Sequence, residues 1–173
     1  MPDRALLACG RAIVKQCVHS GFPCVYWINC LPIEDPDYKQ KCMHLGTYPP
    51  IVENLLKDEY KAWRRKMLKE IFRVADATAG GVVSVAAMCK QGKHRSTATA
   101  WYVEHALKSV GYRVGFQHLS WLAQDSVWCQ RGNRPCEQCS RSNPDLEPLR
   151  LQVVAEALSC HQSAVEYNLA VMS

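Results

Sequence analysis

The stretch VVSVAAMCKQGKHRS, residues 82–96, decides the fold that this sequence predicts. Its first seven residues are small or apolar and include three valines, which is typical of a buried strand. A polar loop containing Gly92 follows, and residues 97–110 then continue as a helix that Gly111 ends. A strand, a glycine-containing loop and a helix in this order predict one βα unit of an α/β fold.

Further elements are expected on both sides of this unit. Residues 24–30, CVYWINC, and residues 112–118, YRVGFQH, are short runs that predict two more strands. A long amphipathic helix is expected over residues 49–76, and an N-terminal helix over residues 4–20 after a cap at Asp3. This order predicts a mainly parallel sheet flanked by helices, with right-handed crossovers.

The composition bounds the class of protein. The chain has 173 residues, of which 48% are apolar and 21% charged, an ordinary globular mix with a formal net charge of +5. This mild positive charge favours anionic partners but does not by itself argue for nucleic acid. No apolar run approaches 18 residues, and no secretory signal pattern is present, so we expect no membrane span. The ten cysteines then fit reduced thiols in the cytoplasm, with an organelle as the alternative.

The chain divides into two segments of different amino-acid composition. Residues 1–122 are expected to form an α/β phosphate-binding domain. Residues 129–143 are poor in aliphatic side chains and rich in Cys, Arg and Gly, and a final helix is expected to start at Asn143-Pro144. We therefore expect residues 123–173 to add a small Cys-rich, zinc-knuckle-like element and a C-terminal helix that packs on the same domain.

The loop at residues 89–96 carries the chemistry. The first turn of a helix has backbone N–H groups without partners and a partial positive charge, which together attract anions. An arginine can hold two oxygens in a fork, and the same positive field favours the thiolate of Cys89. We expect an oxyanion site that also draws on two strand ends, from Cys89, Lys90, Gln91, Gly92, Lys93, His94, Arg95, Ser96, Asn29 and His118.

The spacing of this loop resembles that of the cysteine-dependent phosphatases. Five residues separate Cys89 from Arg95, and a hydroxyl residue follows, as in their CX5R loop. The resemblance implies that Cys89 attacks phosphorus while Arg95 holds the phosphate oxygens. Such an enzyme also needs a general acid, for which the candidates are Asp125, Asp35 and Asp37.

A closer resemblance is to the C-terminal domain of the bacterial RNase adapter (RapZ-like) family, whose loop reads Cys-Thr-Gly-Gly-x-His-Arg-Ser. This resemblance covers residues 24–121 and includes Leu31-Pro32, Gly46 and the strand that ends at His118. Here Lys90 and Gln91 replace the threonine and first glycine of that family's loop. The resemblance implies a domain that binds an aminosugar phosphate and small RNAs.

The cysteines after residue 128 suggest a metal site. Cys129, Cys136 and Cys139 have the spacing Cys-x6-Cys-x2-Cys, and zinc commonly uses a Cys-x2-Cys pair within a tetrahedral set of four ligands. We expect structural zinc, with Cys160 as the fourth ligand and His161 or His118 as alternatives. Free thiols or a disulfide are the competing interpretation.

Three functions follow from these patterns. The first is an adapter-type domain that binds a phosphorylated small molecule or RNA backbone phosphates without turnover. The second is a cysteine-dependent phosphatase that uses Cys89 as the nucleophile. The third is a subunit of an oligomer or larger assembly in which the pocket is vestigial.

Overall fold

A computed structural model describes residues 3–10, 26–35, 44–77, 83–90, 92–118 and 136–172. These residues form an α/β fold, with strands β1 to β4 and helices α1 to α4. In chain order the elements are β1 Asp3–Gly10, β2 Tyr26–Asn29, α1 Pro49–Leu56, α2 Lys61–Ala77, β3 Val83–Cys89, α3 Arg95–Ser109, β4 Arg113–His118 and α4 Glu147–Met172.

The four strands form one parallel sheet with the order β2-β3-β1-β4. The register places Ala86 of β3 between Leu7 of β1 and Trp27 of β2. The crossovers from β2 to β3 and from β3 to β4 step in the same direction across the sheet, so the right-handed rule places their helices on one face. The prediction of an α/β fold is confirmed, and helices contribute more of the described residues than the sheet does.

The prediction of an N-terminal helix over residues 4–20 is wrong for its first part. Asp3–Gly10 is a strand, and it lies between β3 and β4 and pairs with both. A central strand of a parallel sheet has a continuous apolar run instead of alternation, and a short run of this kind has the same periodicity as a buried helix. Pairing on both edges outweighs the helix propensity of its alanines and leucines. Residues 11–20 lie outside the described residues.

The long helix expected over residues 49–76 is two helices. Lys57 is extended, with φ −55° and ψ 148°, and the short 3₁₀ helix Asp58–Tyr60 leads from it into α2. The buried Arg64 secures this break, because its Nη1 donates to the carbonyls of Leu55 and Lys57 at 2.7 and 2.8 Å. Its Nε donates to Glu156 of α4 at 3.0 Å. One guanidinium therefore ties the last carbonyls of α1 to the C-terminal helix.

The core lies between the sheet and the helices. Trp101 and Tyr102 of α3 are fully buried, and Phe72 of α2 is buried beside them in one apolar cluster. Helix α4 packs against α2 and α3 and adds Val153 and Ala157 to the same cluster. Among the described residues, no helix combines the length and apolar character that a bilayer span requires.

Replacing Arg64 by methionine should destabilise the protein by about 3–5 kcal/mol, because Glu156 and two helix-end carbonyls lose a buried partner. Arg73→Met on the same helix is the matched control, because its pair with Glu70 is exposed and should contribute less than about 1 kcal/mol. Urea unfolding of both variants measures the difference. Equal losses would show that the guanidinium of Arg64 has no special role in the fold.

Acid should destabilise the fold through His105. Burial, reinforced by the cations of Arg150 and Lys108, lowers the pKa of His105 to about 4, whereas an unfolded histidine titrates near 6.5. The unfolded state therefore takes up the proton first, so this stability is complete above pH ~6.5 and is lost as the pH falls towards 4. Between pH 7.5 and pH 4.5, the free energy of unfolding should fall less for His105→Gln than for the wild type. An identical pH dependence in the two proteins would contradict this assignment.

Candidate functional site

The carboxyl ends of β2 and β3 bring the predicted site residues to one edge of the sheet. Asn29 lies opposite Met88, and the Cys30 N–H continues this pairing by donating to the Met88 carbonyl at 2.9 Å. The side chain of Asn29 accepts from the Leu31 N–H at 3.1 Å and so turns the chain into the segment 31–35. The described contact of the Asn29 side chain is thus with the turn that follows β2.

Residue 118 closes β4 opposite Ala8, at the same edge of the sheet. For His118 the structure describes this backbone position alone, and Gln91 lies outside the described residues. Their predicted contacts with a ligand therefore stay predictions.

The loop curls around the sulfur of Cys89. The Gly92 N–H donates to Cys89 Sγ at 3.2 Å, and the Cys89 thiol donates to Ser96 Oγ at 3.3 Å. Gly92 has φ 74°, in the left-handed region where an L-residue is strained, and this conformation lets its N–H face the sulfur. Cys89 is 3% exposed. The predicted grouping of a cysteine, a glycine and a serine at the start of a helix is therefore present.

Arg95 and His94 face the segment 31–35. The Arg95 Nη1 donates to the carbonyls of Leu31 and Ile33 at 3.3 and 3.0 Å. His94 Nδ1 lies 3.0 Å from Asp35 Oδ1, and Asp35 Oδ2 lies 3.8 Å from Arg95 Nε. The carboxylate of Asp35 thus lies beside both side chains, whereas the other acid candidates, Asp37 and Asp125, lie outside the described residues.

The basic side chains of the loop differ in exposure. Lys90 is exposed, whereas Lys93 and His94 are each 2% exposed. Lys93 and His94 are therefore buried in the protein, and only Lys90 among these three is exposed to solvent. A solvated basic surface turn, the ordinary alternative for such a sequence, is not what the structure shows.

A second buried thiol lies beside the loop. Burial, with a smaller contribution from the neighbouring Cys89, raises the pKa of Cys30 to about 12. A raised pKa disfavours the thiolate that a nucleophile or a metal ligand requires.

Three residues form a group that could hold a metal ion, and they are His44, Cys136 and Cys139. His44 Nδ1 lies 3.9 Å from Cys136 Sγ and 3.5 Å from Cys139 Sγ. Two ligands of one tetrahedral zinc, with Zn–S of about 2.3 Å and Zn–N of about 2.0 Å, lie about 3.6 Å apart. The spacing of the three ligand atoms therefore suits one metal ion.

The predicted ligand set needs correction at Cys160. Cys160 is fully buried in the apolar core with Val153 and Ala157, because it lies on the inward face of α4, and it is not in the group with Cys136 and Cys139. His161, an alternative ligand, packs edge-on against Phe72 at 5.2 Å. Cys129 lies outside the described residues.

His44 is a candidate ligand that the sequence did not predict. It stands 92 residues before Cys136 in the chain, so no local ligand spacing connects the two. The only signal in the sequence is its position two residues before Gly46, a glycine that the family resemblance had already singled out.

Gly46 makes the closest backbone contact with the loop. Its N–H donates to the Lys93 carbonyl at 3.0 Å, and a Cβ on Gly46 would lie 2.1 Å from the His94 carbonyl oxygen. The same Cβ would lie 2.5 Å from the Ala98 nitrogen. Only glycine therefore allows residues 44–48 to approach the first turn of α3.

Replacing Gly46 by alanine should cost about 3 kcal/mol, because the atoms that meet the new methyl group are backbone and cannot rotate away. Hydrogen exchange should also accelerate at amides 93–98. Gly111→Ala is the control, because it costs about 1–2 kcal/mol for its positive φ but contacts nothing within 4 Å. Unchanged exchange at amides 93–98 in Gly46→Ala would contradict the packing described here.

No protein-family model matches the chain, and no curated protein is found to be similar to it. The functional assignment therefore depends on the geometry of the site itself.

Proposed function

We propose that the chain is an adapter-type domain that binds a phosphate group in the loop of residues 89–96 and does not turn its ligand over. One observation carries the proposal: a backbone N–H and a serine hydroxyl converge on Cys89 Sγ where α3 begins. Groups arranged to contact one polarisable sulfur are also placed to contact the oxygens of an anion seated above it.

Arg95 supplies the cation that this site needs. The carbonyls of Leu31 and Ile33 hold its Nη1 and so fix the orientation of its guanidinium. Among the described residues, the hydrogen bonds of Arg95 leave Nη2 available to an oxygen of the ligand. The partial positive charge at the start of the 15-residue helix α3 adds to that attraction.

The ligand class we favour is a phosphorylated small molecule. A terminal phosphate offers three oxygens to one enclosing loop, whereas an RNA backbone phosphate offers two and brings the rest of the strand with it. The resemblance of the loop to that of the RapZ-like family favours an aminosugar phosphate. RNA backbone phosphates are the second source of the same chemistry, and the net charge of +5 suits either.

We also propose structural zinc as the cofactor, bound by His44, Cys136 and Cys139. Thiolate and imidazole are the ligands that zinc prefers in structural sites. Cys136 and Cys139 flank the 3₁₀ turn Glu137–Cys139, in which the Cys139 N–H donates to the Cys136 carbonyl. Cys129 remains the predicted further ligand.

A cysteine-dependent phosphatase is the second candidate, and the position of Asp35 favours it. This carboxylate lies beside His94 and Arg95, near enough to the loop to serve as a general acid. Both of its oxygens already contact His94 Nδ1, at 3.0 and 3.3 Å, whereas a general acid must present its proton to the leaving group. For that reason we rank phosphate binding without turnover first.

Titration calorimetry with an aminosugar phosphate tests the first proposal. The unphosphorylated aminosugar is the control ligand. We expect binding that requires the phosphate and falls at least tenfold in Arg95→Ala, since one charge-assisted contact contributes about 1.5–3 kcal/mol. Arg95→Lys should restore part of the affinity. The exposed Arg73→Ala should bind as the wild type does, because Arg73 lies on α2 and pairs with Glu70.

Measuring phosphate release in the same samples separates the two candidates. No release from the sugar phosphate or from an aryl phosphate is the expected result. Release that Cys89→Ser abolishes, and that Asp35→Asn slows most for the poorer leaving group, would establish the phosphatase instead. Absence of both phosphate binding and phosphate release would overturn both candidate functions and favour a subunit of a larger assembly.

A further inference from the structure

We propose that a metal ion bound by His44, Cys136 and Cys139 controls the phosphate site by holding the loop of residues 89–96 in shape. The inference rests on the proposed phosphate-binding function and adds the regulation of that same site. A short series of contacts connects the three ligands to the first turn of α3.

The first step is the rigidity of the ligands themselves. The ring of His44 stacks on Tyr48, with the two centroids 3.9 Å apart and the planes 17° from parallel. Cys136 and Cys139 lie at the two ends of one tight turn. A metal ion at this point would therefore join two locally ordered pieces of chain that are 92 residues apart in the sequence.

The second step joins the cysteine turn to the segment 44–48. The Leu45 N–H donates to Cys139 Sγ at 3.3 Å, and Thr47 Oγ1 donates to the Cys139 carbonyl at 2.6 Å. These bonds flank Gly46 on both sides. The position of the Gly46 backbone is therefore set by the same cysteine that would bind the metal.

The third step passes from Gly46 to the loop. Its N–H donates to the Lys93 carbonyl, and its Cα packs directly on the His94 carbonyl and the Ala98 nitrogen. A shift of Gly46 must therefore move Lys93 and His94, the residues immediately before Arg95. Arg95 and Ser96, which we assign to the phosphate, lie in the turn that would then be displaced.

A separate contact ties the cysteine turn to α3. Arg141, two residues beyond that turn, pairs with the buried Glu104 in the middle of the helix. The cysteine turn, the segment 44–48 and α3 thus form a closed ring of contacts. Removal of the metal ion would leave the hydrogen bonds of Leu45 and Thr47 to hold the segment 44–48 to the cysteine turn, so the ring would loosen on the side of His44, next to the phosphate loop.

The experiment compares the full chain loaded with zinc and the same chain stripped of metal by a chelator under reducing conditions. Loss of metal should weaken binding of inorganic phosphate by about tenfold, within the 5–150-fold range typical of coupled sites. Hydrogen exchange at amides 92–98 should accelerate, whereas amides in the middle of α2 should not change. Cobalt in place of zinc should give the absorption of thiolate-bound Co²⁺.

Three variants separate the coupling from simple unfolding. Cys139→Ser should lose the cobalt thiolate absorption and behave as the stripped protein, and Glu137→Gln, an exposed position in the same turn, should behave as the wild type. Thr47→Val keeps every ligand but loses the bond to the Cys139 carbonyl. It should retain cobalt and still show weaker phosphate binding and faster exchange at amides 92–98.

The outcomes distinguish this inference from the proposed function. If zinc-loaded protein binds no phosphate, the proposed function fails, while exchange at amides 92–98 still reports on the coupling. Equal exchange and equal phosphate affinity with and without metal would overturn the inference. A cobalt spectrum unchanged by Cys139→Ser would overturn it as well, because the metal would then lie elsewhere.

Discussion

The contact of the Gly46 backbone with the first turn of α3 is the constraint on which the geometry of this site depends. It brings a segment from between β2 and α1 within hydrogen-bond distance of the loop that follows β3. That segment carries His44 on one side and leads into α1 on the other. The approach of His44 to the loop of residues 89–96 thus depends on one position that accepts no side chain.

Groups of the protein itself position the side chains of Arg95 and His94 in the loop of residues 89–96. Backbone carbonyls of Leu31 and Ile33 orient Arg95, and the carboxylate of Asp35 lies beside His94. These acceptors hold Arg95 and His94 in place beside the point where Cys89, Gly92 and Ser96 converge. For the proposed anion ligand such a site would be preorganised, because side chains that are already held in place need little rearrangement on binding.

The parts of the fold that follow from local chemistry could be predicted from the sequence. The β3-loop-α3 unit could be predicted because valine-rich and helix-forming stretches meet at Gly92. The position of β1 could not, since Asp3–Gly10 has the apolar pattern of a helix and becomes a strand only through its two neighbours in the sheet. The same limit applies to the site: Cys136 and Cys139 were found by their spacing, whereas His44 joins them through tertiary contacts alone.

The place of β1 in the sheet also affects how the protein is made. This strand precedes both of its neighbours in the chain, since Arg4 pairs with Val83 on one edge and with Val114 on the other. A nascent chain therefore holds β1 unpaired until β3 and β4 have been synthesised. Long-range parallel pairing of this kind folds slowly and is prone to aggregation in the interval. The period in which the strand edges stay unpaired during synthesis is therefore longer for this sheet order than for a domain built from neighbouring hairpins.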